Sequence, residues 1–383
     1  MHTVVVDTYY PTFLHSFYRQ RPGLADESYA AQHQALMGAH FATANYYSSN
    51  LAALRIPGAE IVANCEPLQR AWARENGLRL SPTLWAVGRK GDQWTLGRRW
   101  GLIPWPRRPA TEGWFLPVLE AQIRALRPEV LFIQDMNTFS PTFLRSLRPY
   151  VRLIVGQIAY SFAPDTDFSV FDLILSSLPH YVQRFRAEGI SSELFRLGFE
   201  ANLLDHLTST PQKYDVVHVG GYSPIHTERN ELLEYLINAG VPLSCWGYGI
   251  NYLSRRSPIR RCYQGELWGL EMHSVRFNSR IVVSKHISSV AGPHANIMTM
   301  YEATGVGSLL VIDERSDLDA IFQPGTEVST YSSAADCADT IFRYLNNEEQ
   351  RLSVAQAGQK RTLAEHTYLH RMQEYLDIIA DYL

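Results

Sequence analysis

Short β-branched apolar runs alternate along the chain with stretches in which apolar residues return every three or four positions. Uninterrupted apolar runs suit strands buried on both faces, and the intervening periodicity suits helices laid over them. Their alternation therefore predicts parallel sheets covered on two sides. In the first half the strand runs are TVVVD (3–7), AEIVANC (59–65), VLFIQD (130–135), VRLIVGQI (151–158) and DLILSS (172–177). Helical stretches such as EPLQRAWAREN and LPHYVQRFRAEG lie between them, the latter closed by Gly189.

The rhythm weakens through FEANLLDHLTSTPQKY (199–214), whose Ser/Thr/Pro-containing end reads as a linker. It restarts with DVVHVGGYSP, a strand entering a Gly-Gly turn, and with TERNELLEYLINAG, a helix with Thr227 as N-cap and Gly240 as its stop. PLSCWGYG (242–249), RIVVSKH (280–286), SLLVID (308–313) and TEVSTY (326–331) continue a second set of strands. Residues 332–383 read as three helical segments, the last with Leu369, Met372, Tyr375, Leu376 and Ile379 along one face. The expected architecture is α/β, two Rossmann-like doubly wound lobes divided as 1–205 and 206–365, followed by a helix over 366–383.

Composition agrees with two lobes. At 383 residues, 46% hydrophobic and 19% charged, the chain can fill two cores of ordinary domain size. A formal charge of -3 with Arg and Lys scattered leaves no footprint for a nucleic-acid backbone, so nucleic acid is excluded as a partner. No apolar run approaches the roughly 20 residues of a transmembrane segment, and MHTVVVDTYY lacks the basic start of a signal peptide; a cytoplasmic location is expected. Cys65, Cys245, Cys262 and Cys337 are too dispersed for a zinc site or a disulfide scaffold and read as packed thiols.

One segment breaks the pattern. Residues 81–114 carry Trp85, Trp94, Trp100, Trp105 and Trp114 with two Arg-Arg pairs. This is either an irregular cover over an apolar flank or an aromatic lip that stacks on sugar rings.

Tandem open α/β lobes hold ligands in the crevice outside the carboxyl ends of their strands. Strand-end residues are therefore the candidates: Asp7, Asp135 and Gln157 in the first lobe, and Gly220, Gly221, Trp246, Gly247, Lys285 and His286 in the second. Gly220 and Gly221 would let backbone approach a phosphate, or simply make a tight turn. HANIMTMYEATGVGSLLVID (294–313) predicts a helix from Ala295 to Ala303, closed by Gly305 and followed by a buried strand. The N–H groups of Ala295 and Asn296 would face an anionic diphosphate, with His294 beside it. Glu302 would stand about 12 Å further along the axis, where a carboxylate can accept from two ribose hydroxyls. Tyr222 and Trp246 either stack on a base or sugar or pack in the core.

The stretch HANIMTMYEATGVGSLLVIDERSDLDAIFQPGTEVSTYSSAADCADTIFRYLNN, with AGQKRTLAEHTYLHRM after it, resembles the C-terminal half of the spore-maturation-protein-like (CgeB-type) glycosyltransferases, a GT-B-fold family. The likeness is dense over about 276–372, and DTYYPTFLHSFY, VLFIQDMN and LILSSLPHYVQRF extend it loosely over most of the chain. It implies a transferase of bacterial glycan or glycoconjugate biosynthesis whose lobes face each other across a cleft. The C-terminal lobe would hold a nucleotide-sugar donor and the N-terminal lobe an acceptor, with the last helix crossing back to the N-terminal lobe. Many retaining GT-B enzymes carry Glu-x7-Glu in the corresponding region, and here the spacing reads His294-x7-Glu302. Glu302 is similar to the ribose-holding Glu; His294 replaces the first, which leaves the stereochemical outcome open.

Such chemistry needs charge relief for a departing diphosphate, for which Arg229, Lys285, His294 and the N–H groups near Ala295 and Asn296 are candidates. It also needs a base for the acceptor's proton, for which Asp135 and Asp7 rank ahead of His15. DTD (165–167) and DLD (317–319) resemble metal-binding acidic pairs but sit where turn and cap residues are common, so neither metal nor cofactor is expected. A nucleotide-sugar epimerase of the same architecture, or a catalytically silent sugar-binding or scaffolding relative, are the alternatives. The base, the sugar, the acceptor (glycan, protein or small molecule) and the oligomeric state are not legible.

Overall fold

The computed structural model describes residues 1–79, 115–162, 166–210 and 213–383. The tryptophan-rich stretch 81–114 lies outside the described residues. The apolar runs of the first half form a six-stranded sheet of β1 (Thr3–Asp7), β2 (Gly58–Val62), β3 (Val130–Ile133), β4 (Leu153–Gln157), β5 (Leu173–Ser176) and β6 (Ser192–Leu194), in the order β2-β1-β3-β4-β5-β6. Those of the second half form a five-stranded sheet of β7 (Tyr214–Val219), β8 (Leu243–Trp246), β9 (Ser279–Val283), β10 (Leu309–Asp313) and β11 (Ser329–Tyr331), in the order β11-β10-β9-β7-β8. Every pairing of neighbours in both sheets is parallel. Among the described strands only β6 was missed from sequence: it is a three-residue edge strand reading SEL, too short and too polar to show a period.

Both orders reverse direction once. The chain leaves β1 for β2 on one side and returns to place β3 on the other; β7, β8 and β9 repeat the manoeuvre. At such a reversal the two connections leave toward opposite faces and open a crevice between them. The residues following β1 and β3, and those following β7 and β9, therefore line the two natural binding crevices.

Period-two burial joins the lobes. Val4 and Val6 pack on one side of the first sheet while Val5 faces the other, and β9 divides Ile281 and Val283 from Val282 in the same way. The cluster that takes Val5, Phe132 and Val155 also takes Val217, Val282 and Leu310, so one face of each sheet feeds a single continuous core. Phe199 lies where they meet, donating its N–H to His366 O and accepting from Tyr368 N–H. Gly305 is the last residue of helix Met298–Gly305, as expected of a closing glycine, and packs against Phe199; a Cβ there would fall 2.3 Å from the ring. The last helix, Tyr368–Ala380, buries Met372, Tyr375 and Ile379. Tyr375 lies 5.7 Å from the Phe132 ring and within 3.3 Å of the Thr3 hydroxyl.

The stretch 199–214 is less free than a linker. Residues Ala201–His206 form a 3-10 turn, and the buried Glu200 accepts from both Asn202 N–H and the Asn50 amide at 2.7 Å. Thr227 is the first residue of helix Thr227–Asn238 rather than its cap.

Candidate functional site

At the first sheet's reversal, β1 ends in Asp7 and β3 is followed by Asp135. The two carboxyls have different surroundings. Four donors converge on Asp135: the Tyr160 hydroxyl at 2.8 Å, the Thr8 hydroxyl at 2.5 Å, the Asn137 N–H at 3.2 Å and the Thr138 hydroxyl. Asp7 accepts the Thr8 N–H at 2.7 Å. Burial dominates its ionisation; the Thr8 N–H opposes the effect and neighbouring Asp135 adds to it, leaving the Asp7 carboxyl pushed up to about 7. A carboxyl poised near neutrality between two states is suited to taking and returning a proton. Tyr10 and Tyr160, 49% and 40% exposed, flank the pair and give it an aromatic, hydroxyl-bearing mouth. His15 stands on the exposed face of helix Pro11–Arg19. Gln157 is buried and receives the Tyr47 hydroxyl at 2.9 Å.

Across the cleft, the reversal of the second sheet carries cationic groups. The Gly220–Gly221 turn is tightened by the loop after β8: Gly220 N–H donates to Trp246 O, and Gly247, at φ +136°, would drive a Cβ into Gly220 O. The close approach expected to serve a phosphate thus serves loop packing as well. Arg229, in the first turn of helix Thr227–Asn238, donates to Gly221 O at 2.5 Å; its Nε meets no hydrogen-bond partner among the described residues. Burial holds this guanidinium down to about 10, against the opposing influence of nearby tyrosines. Lys285 lies 3.6 Å from Glu228, a pairing loose enough to leave the ammonium partly hydrated. Arg229, His286, Ser288 and Glu228 line one cleft.

Tyr222 and Trp246 are core side chains. The Tyr222 hydroxyl donates to Trp246 O, and Trp246 packs edge-on against Tyr214 at 5.0 Å.

The stretch 294–305 departs from its expected form. The helix begins at Met298, not Ala295, so residues 294–297 are loop and the helical 12 Å spacing from His294 to Glu302 does not apply. The N–H of Ala295, expected free for a diphosphate, donates to Asp317 at 2.7 Å, and His294 Nδ1 meets the same carboxylate at 2.9 Å. An internal carboxylate therefore occupies the place foreseen for an anion. Asp317 was read as the cap of its own turn, yet its side chain reaches this neighbouring loop instead. Asn296 follows, half-buried. The His294 ring stacks on His180 from the first lobe, centroids 5.3 Å apart and planes within 9°.

Glu302 is buried and its carboxylate lies 2.9 Å from Arg276, itself fully enclosed. Burial lowers the Arg276 guanidinium and the charge of Glu302 raises it in part. Sequence reasoning missed Arg276, because an Arg in GLEMHSVRF looks like any solvated helix residue; only the depth of the helix shows that it needs a carboxylate.

Of the two acidic pairs, DTD lies partly outside the described residues. Its Asp167 accepts the Ser169 N–H and pairs with Arg145 at 2.7 Å, as a turn residue does.

Residues 229–377 match the family model described as “Glycosyl transferase-like”. No curated protein matches the chain. Among solved structures, the chain resembles Anabaena HepE in complex with UDP-glucose, with a TM-score of 0.60, 10% identity and 100% of both chains covered. It is also similar to sucrose-phosphate synthase from Thermosynechococcus elongatus, with a TM-score of 0.57, 11% identity, and 100% of this chain and 98% of that one covered. A glycosyltransferase from Rickettsia africae gives a TM-score of 0.57 at 10% identity, with 98% and 97% covered. The fold is thus GT-B: two Rossmann-like α/β lobes built on parallel sheets. The family match begins at Arg229 and spans the strand ends and loops of the second lobe from that residue onward.

Proposed function

We propose that the protein is a glycosyltransferase taking its donor, a nucleotide-diphosphate sugar, in the second-lobe crevice and its acceptor at the first. One observation carries the reading. Two sheet reversals of the same topology present opposite chemistry, carboxyls at Asp7 and Asp135 on one side and cations at Arg229 and Lys285 on the other. A departing diphosphate needs positive charge, and an attacking hydroxyl needs a proton acceptor. Asp7 is the general base in this scheme; Asp135, saturated by donors, shapes the mouth and orients the acceptor through Tyr160 and Asn137. The match of 229–377 to a glycosyl transferase-like model supports the donor assignment. The UDP-glucose bound to Anabaena HepE supports a uridine nucleotide as the first donor to test.

Residues 1–205 form the acceptor lobe, 206–365 the donor lobe and 366–383 a closing helix. The chain works in the cytoplasm and without a metal, its cations replacing one. The likeness over 276–372 supports a CgeB-type assignment within the fold. Glu302 holds the ribose while sharing its carboxylate with Arg276.

The test is thermal stability against UDP, GDP, dTDP, CMP and ADP, followed by sugar transfer from the matching donor with and without EDTA. A nucleotide at a hundredfold excess over its dissociation constant raises native-state stability by roughly 2.7 kcal/mol. One diphosphate standing out, with EDTA-insensitive transfer, supports the reading; no response to any of them rejects it.

A further inference from the structure

The second-lobe crevice holds one chemically capable group that the donor scheme above does not use. His286 follows β9 at the sheet reversal and is enclosed, with 1% of its surface exposed. Its Nδ1 lies 2.8 Å from Asp313 Oδ1, which also accepts the His286 backbone N–H at 2.8 Å, so one carboxylate oxygen fixes both ring and main chain. The other oxygen takes Arg315 at 2.5 Å. Burial alone would raise the Asp313 carboxyl, but the hydrogen bonds and charges of His286 and Arg315 outweigh it and hold it below its ordinary value. Asp313 therefore remains a carboxylate, and the nitrogen facing it is the one that carries hydrogen.

That leaves Nε2. It is buried and meets no hydrogen-bond partner among the described residues, although His286 lines the same cleft as Arg229, Ser288 and Ser289. A buried imidazole nitrogen without a partner calls for an explanation, and among the unpaired histidine nitrogens of the described residues that of His286 belongs to a residue lining this cleft. Arg229 Nε, in the same cleft, is unpaired too. Both residues line one cleft, where Arg229 can donate to an oxyanion and His286 Nε2 can do so once it carries hydrogen.

We propose that His286, held by Asp313, is the catalytic acid that protonates the departing diphosphate. The proposal rests on the donor reading above. In the step, the bond between the sugar's anomeric carbon and the phosphate oxygen breaks and its electron pair goes to that oxygen. The Nε2–H proton passes to the same oxygen. The acceptor hydroxyl oxygen bonds to the anomeric carbon, and its proton goes to Asp7. Proton exchange with solvent then restores His286 and Asp7. Asp313 is a positioning residue that stabilises the imidazolium without taking its proton. The other charged or titratable groups around this cleft are Arg315 beside Asp313, the adjacent Lys285, His226, Glu228 and Arg229 at the helix start, and Tyr331 and Cys337, which feel the charge of Asp313. A phosphate oxygen against Nε2 receives a hydrogen bond only from a ring that carries hydrogen there.

The experiment is titration calorimetry of the full chain above neutral pH with UDP and with inorganic pyrophosphate, in buffers of different ionisation enthalpy. The wild type should take up about one proton per UDP bound, and H286Q none. Asp313→Asn should reduce the uptake while UDP still binds, and pyrophosphate should show the same uptake as UDP. Nitrogen-15 spectra of the wild-type histidines, needing no variant to fold, should show His286 Nε2 changing from bare to protonated when UDP is added. Binding with no proton uptake, or uptake that persists in H286Q, overturns the proposal and leaves the donor reading standing. No binding of UDP or pyrophosphate overturns both.

Discussion

The carboxyl edges of the two sheets are the same construction twice, a parallel sheet whose strand order reverses beside its first strand, yet they hold opposite charge. At the first edge, Asp7 and Asp135 are surrounded by hydroxyls from Thr8, Thr138 and Tyr160. At the second, Arg229, Lys285 and His286 gather around a cleft or its rim. The topology supplies only a place where loops part. What the place does is set by the residues that follow each strand, which is why one fold can set carboxyls at one edge and cationic groups at the other. The buried titratable groups differ in the same sense. Asp7 and Glu60 in the first lobe are both pushed up to about 7 by burial, whereas His218, His226 and His273 in the second are held neutral by it.

The sharpest way to break this comparison is Asp7→Asn. If Asp7 is the base, sugar transfer falls by roughly 10²- to 10⁴-fold with donor binding intact. Unchanged transfer rates would remove the chemical meaning of the first edge. Next is Glu302→Ala, which leaves Arg276 buried without its carboxylate and should cost about 3–5 kcal/mol in denaturant unfolding. Glu302→Gln keeps hydrogen-bonding capacity at lower cost, so it is the variant in which nucleotide binding is measured. Third is Gly305→Ala. A methyl group against the Phe199 ring should destabilise the junction of the lobes by about 1–3 kcal/mol without altering either edge.

The last is the response of each lobe to acid, read by hydrogen exchange strand by strand. Asp7 and Glu60 have folded-state values above their unfolded ones, so the native state binds their protons more tightly and the first lobe gains stability as pH falls from about 7 toward 4. His226, held down to about 4, and His218 must stay neutral to fold, so the second lobe loses stability once pH drops below the ordinary histidine value near 6.5. His33, lowered by its own burial, subtracts part of the first lobe's gain. Protection in β7 and β9 should therefore fall between neutrality and pH 5 while that in β1 and β2 holds. Parallel losses in both lobes would mean that buried charge is not partitioned between them.

Much of this was readable along the chain. Runs such as TVVVD and SLLVID announce buried parallel strands because a strand covered on two faces must be apolar throughout, and that requirement is local. Asp7 and Asp135 were visible as polar residues at strand ends for the same reason. The stretch 294–303 failed because helix onset depends on what the first N–H groups find, and here Asp317, 22 residues downstream of Ala295, takes one of them. Arg276 and Asp313 look ordinary in sequence, and nothing near them names Glu302 or His286 as a partner.

The sequence alone determined the two sheets, their parallel sense and the strand ends at which chemistry could occur, because burial on both faces is written in the hydrophobic period. Only the tertiary structure decided which strand-end groups face one another, which carboxylate is satisfied and which keeps a proton near neutrality. Those are properties of charges placed a few ångströms apart by residues far apart in the chain, with burial determining what each separation is worth.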